Sequence, residues 1–321
     1  MFLKQLPWRQ QQLPKKVSNI RFLKRKEIDS HRWNELIENS ANSLPYAFTG
    51  YLDAVAENWD ALVLNDYDAV MPLIWLRKLG IKCLYQPYYC QQLGVFSPQA
   101  ITAGVYGEFL KEAVSRFPYI NINLNPAAAT VATEFALTKK KNLLLNLTEP
   151  YAALQKRYND NHRRSITKAN KAGLSFLEQN ELKVFQKFYL ENVNRTKENF
   201  KPQHEKIFKK LTQVLISNGQ GVVYTAADNT GNLLAAILLV SHKNRLTGII
   251  NTSSATGKKN GAMHFLFDQI IHKFSGSGIT LDFEGSSIPT IARFYEGFGA
   301  EEESFFHYKN TLLQKISQRF G

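Results

Sequence analysis

From Ile20 onward, apolar positions recur in runs that alternate between the strand period of two and the helix period of 3.6. Ser30 is placed to cap a helix over His31–Asn39 whose inner face carries Trp33, Leu36 and Ile37. Ala61–Leu64 and Ala69–Leu76 are apolar, strand-like runs split by the turn-prone Asn65-Asp66, and Ile81–Tyr85 makes a third. Gly107–Phe117 reads as a helix and Tyr119–Leu124 as a strand. Residues 19–145 thus form one mixed α/β domain, preceded by a polar arm at 1–18 that carries Pro7 and Pro14 and no sustained period.

The second half, 146–321, has sharper punctuation. Glu149–Tyr158 and Asn161–Ala172 are short helices, the second ended by Gly173. After a strand at Leu174–Leu177 come helices over Glu181–Asn199 and Pro202–Ser217, the latter with proline in its first turn. Val222–Ala226 and Leu233–Ser241 form a hairpin around Asp228-Asn-Thr-Gly231. Arg245–Asn251 is a strand, Asn260–Phe274 a helix, Ile279–Phe283 a strand, Ile288–Phe298 a helix and Ser304–Tyr308 the last strand. The order is β-α-α-β-β-β-α-β-α-β.

The length of 321 residues suits two domains better than one. The longest apolar run, Leu233–Val240, is far short of the roughly 20 residues that a membrane-crossing helix needs. The N-terminus has charge but no apolar core or small-residue cleavage site, so a cytoplasmic location is expected. Cys83 and Cys90 form no metal-binding or redox spacing and read as free thiols, and the scattered histidines predict no metal. Forty Lys+Arg against 27 Asp+Glu leave a net charge of +13. Such a balance favours anionic partners: nucleotides, nucleic acid, coenzyme A or anionic lipid.

Four constellations could carry chemistry. Arg293-Phe-Tyr-Glu-Gly-Phe-Gly299 is a helix that breaks at glycine before the final strand. It resembles the F-Y-x-x-x-G-F signature of the GNAT acyltransferases, and the order of elements above is the GNAT order. In that family the tyrosine protonates the departing thiolate, a role the resemblance gives to Tyr295. The plainer alternative is that Phe294 and Tyr295 are packed aromatics. The second constellation joins the strand ending at Asn251 and Thr252 to the next helix through a Gly-containing stretch. A strand, such a loop and a helix N-terminus together make an anion site from backbone N–H groups. GNAT proteins hold a pyrophosphate here with a pattern like R/Q-x-x-G-x-G/A; this chain offers Lys258, Lys259, Asn260, Gly261 and Ala262, followed by Met263. The alternative is a capped helix with solvated lysines.

Third, residues 156–173 carry six basic groups and one acid, and Arg164, Lys168 and Lys171 share a helix face. Arg163-Arg-Ser-Ile-Thr-Lys-Ala-Asn-Lys-Ala-Gly-Leu174 resembles the R-R-x-I-R-K-A-x-K-x-G-L stretch of the Fem-type (FemABX) peptidyltransferases, which are two GNAT-like domains in tandem. That resemblance implies an α/β fold with mixed sheets and tandem GNAT-like domains, an acceptor side in 19–145 and a donor side in 146–321. It also assigns Tyr85, Gln91 and Gln92 to an acceptor groove, and Arg163, Arg164, Lys168 and Lys171 to phosphate binding. A solvated basic face is the alternative. Fourth, Leu281-Asp-Phe-Glu-Gly-Ser-Ser287 ends a strand, where open α/β sheets bind ligands. Relatives carry D-F-x-G-S here, matched by Asp282, Phe283, Gly285 and Ser286. A buried carboxylate here either takes the acceptor amine's proton or has a structural role, capping the following helix or binding backbone amides. Asp282 is read as structural, and for Glu284 both readings stay open.

The reading that follows is attack of an amine on an activated carbonyl, with Glu284 as base, Tyr295 as acid and N–H groups near Asn251–Thr252 as oxyanion donors. Acyl-CoA or aminoacyl-tRNA would be the co-substrate, with no tightly bound cofactor. The expected partners are an anionic small-molecule substrate, nucleotide-linked or CoA-linked, with an amine acceptor for which a cell-envelope precursor is a candidate, and tRNA as a further candidate partner. Two other classes remain open: a catalytically idle scaffold for nucleotide-sugars or anionic envelope precursors, and an RNA-binding protein. Aromatic interleaving in 156–173 is confined to Tyr158, which argues against single-strand readout.

Overall fold

In the computed structural model the first helix starts one residue earlier than its serine suggests. Asp29, not Ser30, is the cap, its carboxylate accepting from the N–H groups of His31 and Arg32. The structure describes residues 19–193, 200–285 and 288–310. The arm at 1–18, Ser286 and the expected end of the helix over Glu181–Asn199 lie outside the described residues.

The chain divides into two compact units, and the division is not linear in sequence. Unit 1 holds residues up to Gln86, Gln92–Lys139 and the chain from Phe305, while unit 2 holds Pro87–Gln91 and Lys140–Ser304. In unit 1 the elements are β1 (Ile20–Lys24), α1 (Ser30–Asn39), α2 (Thr49–Val55), β2 (Trp59–Leu64), β3 (Ala69–Lys78), β4 (Ile81–Tyr85), α3 (Ala103–Arg116) and β5 (Tyr119–Leu124). Strands β1 to β4 form an antiparallel meander, and β4 then pairs in parallel with β5 across α3. Helix α3 begins four residues before the sequence-based boundary because the Thr102 hydroxyl caps it, accepting from Val105 N–H. Tyr106, Phe109 and Leu110 of α3 are buried with Leu62, Leu84, Ile120 and Leu124 of the sheet.

Unit 2 contains β6 (Thr138–Asn146, entering it at Lys140), α4 (Tyr151–Lys156), α5 (Asp160–Lys171), β7 (Ser175–Glu178), α6 (Leu182–Val193), α7 (Pro202–Ser217), β8 (Gly221–Ala227), β9 (Leu233–His242) and β10 (Arg245–Ser253). They are followed by α8 (Ala255–Asn260), α9 (Ala262–Phe274), β11 (Thr280–Asp282), α10 (Pro289–Glu296) and β12 (Glu301–Asn310), whose later residues belong to unit 1 and pair with β5. The sheet order is β6-β11-β10-β9-β8-β7, antiparallel except for β10 with β11. β9 reads as an unbroken apolar run because it is central and buried on both faces. Among the described residues, no helix is long and apolar enough to cross a membrane.

Candidate functional site

The centre of unit 2 is set by an irregularity in β10. Its ladder with β9 shifts register between Gly248 and Ile250, a bulge that places an extra residue at Ile249. On the other side, β10 pairs with β11 only over Arg245–Thr247 against Thr280–Asp282. Beyond that point β10 continues to Ser253 along β9 alone, with no ladder partner toward β11 among the described residues. Helix α10 lays Tyr295 beside this position. The ring is buried, stacked on Phe283 at 4.8 Å and edge-on to Phe267 at 5.8 Å. Its hydroxyl accepts a hydrogen bond from Asn251 Nδ2 at 3.3 Å. Burial first, and then the negative charges of Glu284 and Asp282, push the phenol up to about 12. The group is therefore a proton donor, not a base, near neutral pH.

Asp282 behaves as its position predicts. The buried carboxylate accepts from Glu284 N–H at 2.8 Å and from Arg245 Nε at 2.8 Å. Arg245 also donates to Glu303 at 2.7 Å; Asn142 donates to Glu303 and receives Gln91 Nε2 at 3.0 Å. Burial raises the Asp282 carboxyl, while Arg245 and the Glu284 amide oppose that rise. This network fixes the turn after β11, in which Glu284 adopts a left-handed backbone with φ of 53°. A non-glycine residue held there is strained, and such strain collects at functional sites. Gly285 follows because a Cβ at that position would lie 2.5 Å from Asn142 Cα.

The short segment Pro87–Gln91 is part of this unit although it is distant in sequence. Tyr89 (φ 61°) places its hydroxyl 3.1 Å from that of Tyr189. Tyr88 packs against His204 with ring centroids 3.7 Å apart and planes tilted by 40°. So anchored, the segment sets the buried Cys90 in the field of Glu284; burial, with the Glu284 charge second, pushes the thiol up.

The stretch expected as a loop before the second-half helix is a helical turn. Ser254 Oγ accepts from Gly257 N–H and Ser254 O from Lys258 N–H, so α8 forms where a cradle of free amides was expected. Gly261, in the left-handed conformation, then kinks α8 into α9, and a Cβ on it would lie 2.7 Å from Ser165 O. Lys258 and Lys259 are exposed on α8. Arg163, Arg164, Lys168 and Lys171 are exposed on α5, whose other face buries His162, Ile166 and Ala169. Lys168 Nζ donates to Lys259 O at 2.6 Å, joining the two basic stretches into one rim. Beside Arg163 a cleft of about 390 Å³ opens, lined by Lys156, Tyr158, Thr167 and Asn170.

The three residues expected to line an acceptor groove fall in different units. Gln91 is bonded to Asn142 in unit 2, whereas the half-buried Tyr85 and the buried Gln92 belong to unit 1. Among the described residues, no three His, Cys, Asp or Glu side chains are grouped to hold a metal.

No protein-family model matches the sequence, and no curated protein matches it. Solved structures do. A crystal structure of FemX superposes with a TM-score of 0.64 at 12% identity, covering 91% of this chain and 98% of FemX. The chain has the Fem-type fold. A conserved protein of unknown function from Bacteroides thetaiotaomicron gives a TM-score of 0.60 at 9% identity over 91% of this chain and 100% of that one. L-PGS from Bacillus licheniformis gives 0.53 at 12% identity over 87% and 91%. These likenesses are of fold, and they bear out the expected mixed α/β, Fem-type and GNAT-like architecture.

Within this Fem-type fold, Arg245, Asn142, Cys90 and His162 are structurally central and absent from the sequence-based set. His162 deserved notice for its neighbours in sequence: Asn159, three residues earlier, is the α5 cap and accepts from the His162 N–H. The other three carry no local signal, because each is a single polar residue in a strand or loop.

Proposed function

We propose that the protein moves an acyl or aminoacyl group from an activated donor to an amine, with the chemistry in unit 2. The observation that carries this reading is the Tyr295–Asn251 pair. A buried phenol that stays protonated at neutral pH is hydrogen-bonded at the point where β10 and β11 stop pairing, in the field of Glu284. The acceptor nitrogen would form its bond to the carbonyl carbon while Glu284 takes the amine proton. As the carbon–oxygen or carbon–sulfur bond to the donor breaks, Tyr295 would give its proton to the leaving atom, and Asn251 Nδ2 would stabilise the phenolate that remains. Strand N–H groups around Asn251 and Thr252 are the candidate donors to the oxyanion.

The basic rim on α5 and α8 supports a donor that carries phosphates, since a cluster of cations lowers the free energy of bound polyanions. The amides of Gly257 and Lys258 are already hydrogen-bonded within the α8 turn. That favours aminoacyl-tRNA, gripped by side chains, over a coenzyme A pyrophosphate cradled by backbone. A cell-envelope precursor bearing a primary amine suits the acceptor.

Titration calorimetry with acetyl-coenzyme A, then with charged and uncharged tRNA, identifies the donor. Transfer of a labelled acyl group from the donor that binds to amine-bearing precursors then tests the chemistry. Tyr295→Phe is expected to lower the transfer rate by about 10²- to 10⁴-fold with donor binding intact. Donor binding without turnover in the unaltered protein would support the idle scaffold instead. Equal affinity for charged and uncharged tRNA, with no transfer, would support RNA binding alone.

A further inference from the structure

The tip of the β3–β4 hairpin is built against the preferences of a folded chain. Lys78 pairs with Ile81, so the turn is the two residues Leu79-Gly80, with φ of 48° and 80°. Positive φ at both positions is the hairpin turn that favours Asn-Gly or Asp-Gly, because asparagine, aspartate and glycine tolerate the left-handed region. Leucine is a poor choice there. It is also fully exposed, and Ile81 beside it is 42% exposed. Two aliphatic side chains therefore project from a convex tip where neither packing nor turn chemistry calls for them.

Cations surround that tip. Arg77 and Lys78 precede it and Lys82 follows, with Arg77 Nη1 donating to Gly80 O at 3.0 Å and Lys82 Nζ lying 4.1 Å over the Trp75 ring. The described residues of this hairpin from Arg77 to Lys82 contain no acid, and the whole chain carries +13.

We propose that the Leu79-Gly80 turn is a wedge that docks the protein on an anionic lipid surface, the two aliphatic side chains entering the acyl boundary and the three cations meeting headgroup phosphates. A bilayer fits this shape better than the alternatives. A protein partner needs a patch of several hundred Å² per side, which a two-residue convex tip does not supply. Nucleic acid would exploit the cations, but single-strand binding uses aromatic platforms, and the turn from Arg77 to Lys82 carries no aromatic residue. A bilayer accepts isolated apolar side chains, and long basic side chains keep their charges at the headgroups.

The test is flotation of the full chain with two kinds of vesicle, pure phosphatidylcholine and two parts phosphatidylcholine to one part phosphatidylglycerol. The protein is expected to float with the anionic vesicles. Leu79→Asn keeps the net charge and suits the turn, so its melting temperature should not fall, while vesicle affinity drops about tenfold. Lys78→Gln should weaken binding about fivefold. A Leu79→Trp variant should shift its emission to the blue on anionic vesicles and be quenched by brominated acyl chains more than the native tryptophans are. Anionic-vesicle binding that Leu79→Asn leaves within twofold would overturn the proposal, since the cations elsewhere would then suffice. So would absence of binding to either vesicle, or Leu79→Trp emission that stays that of an exposed indole.

Discussion

His162 Nε2 lies 2.7 Å from the carbonyl oxygen of Phe294, the residue before Tyr295. The carbonyl can only accept, so this nitrogen carries the proton, and the α5 imidazole holds the α10 backbone next to the candidate acid. On the ring's other side, Nδ1 faces the Asn159 side-chain amide at 3.0 Å. Phe298 packs edge-on at 4.3 Å and His264 at 4.7 Å. Helix α10 is thus located from behind by a histidine that burial keeps neutral, its pKa lying below the usual value.

The pair His162 and His264 should make stability fall with acid. His264 Nε2 is buried with no hydrogen-bond partner among the described residues, and burial, then the charge that His162 takes on in acid, pushes its pKa down to about 4. Above the unfolded value of 6.5 neither state binds the proton, so the group contributes nothing. Below it the unfolded chain takes up a proton that the folded chain refuses, and stability declines until pH reaches about 4. After discounting for the ring's partial exposure, the loss is about 2 kcal/mol. Calorimetric melting at neutral pH and about pH 5 should show a smaller drop for His264→Phe than for the unaltered protein; equal drops would refute the assignment.

Gly297 is small because the imidazole is there. A Cβ at this position would overlap His162 Cε1 and sit 2.6 Å from Asn159 Nδ2, so Gly297→Ala must displace either α10 or the α5 cap. The expected cost is about 2–3 kcal/mol, an overpacking penalty. Thermal melting checks it. Gly231→Ala is not a matched control for sterics alone, since φ there is positive; Gly104→Ala on α3, where a Cβ would meet only Thr102 Oγ1 at an ordinary 3.9 Å, is the better comparison and should cost nothing measurable.

Sequence periodicity locates most of unit 2, because each boundary has its own chemistry. The β8–β9 hairpin follows from Asp228 and Gly231, whose turn the Asp228 carboxylate closes by accepting from Thr230 and Asn232 N–H. Helix α5 follows from Gly173 at its end, whose φ is 67°, while its Asn159 cap lies two residues before the expected start at Asn161. Residues 255–261 misled for a physical reason: Gly257 and Gly261 suggest a loop, yet the Ser254 cap outweighs them and a helical turn forms over Ala255–Asn260. Tyr295 and Asn251 could be singled out because they sit in contiguous motifs. The network around Asp282 could not, since Gln91, Asn142, Arg245 and Glu303 come from four separate stretches and meet only through the fold.

Arg245 is the charge on which that network depends. It lies between the fully buried Asp282 and the half-buried Glu303. Arg245→Met would leave the Asp282 carboxylate buried without its cation, which typically costs about 3–5 kcal/mol. Asp282→Asn with Arg245 retained should cost less, because Glu303 still pairs with the guanidinium. Denaturant unfolding of the two variants should rank them in that order, and the reverse ranking would mean that the Asp282 carboxylate is held mainly by its other contacts, such as the Glu284 amide, and not by Arg245.

Glu284 should show stability and function pulling apart. Its left-handed backbone is unfavourable for any residue with a Cβ, by about 1–2 kcal/mol. Glycine relieves that strain and gives back part of the gain through the greater freedom of the unfolded chain. Glu284→Gly is therefore expected to raise stability by about 1 kcal/mol, and Glu284→Gln, which keeps the Cβ, to leave it nearly unchanged. Both substitutions remove the carboxylate that would accept the amine proton, so both should lose acyl transfer by about 10²-fold or more. Melting temperature and transfer rate measured on the same two proteins separate the two effects. If Glu284→Gly were less stable than Glu284→Gln, the side chain's contacts would outweigh the backbone strain. If either variant kept the full transfer rate, Glu284 would not be the base.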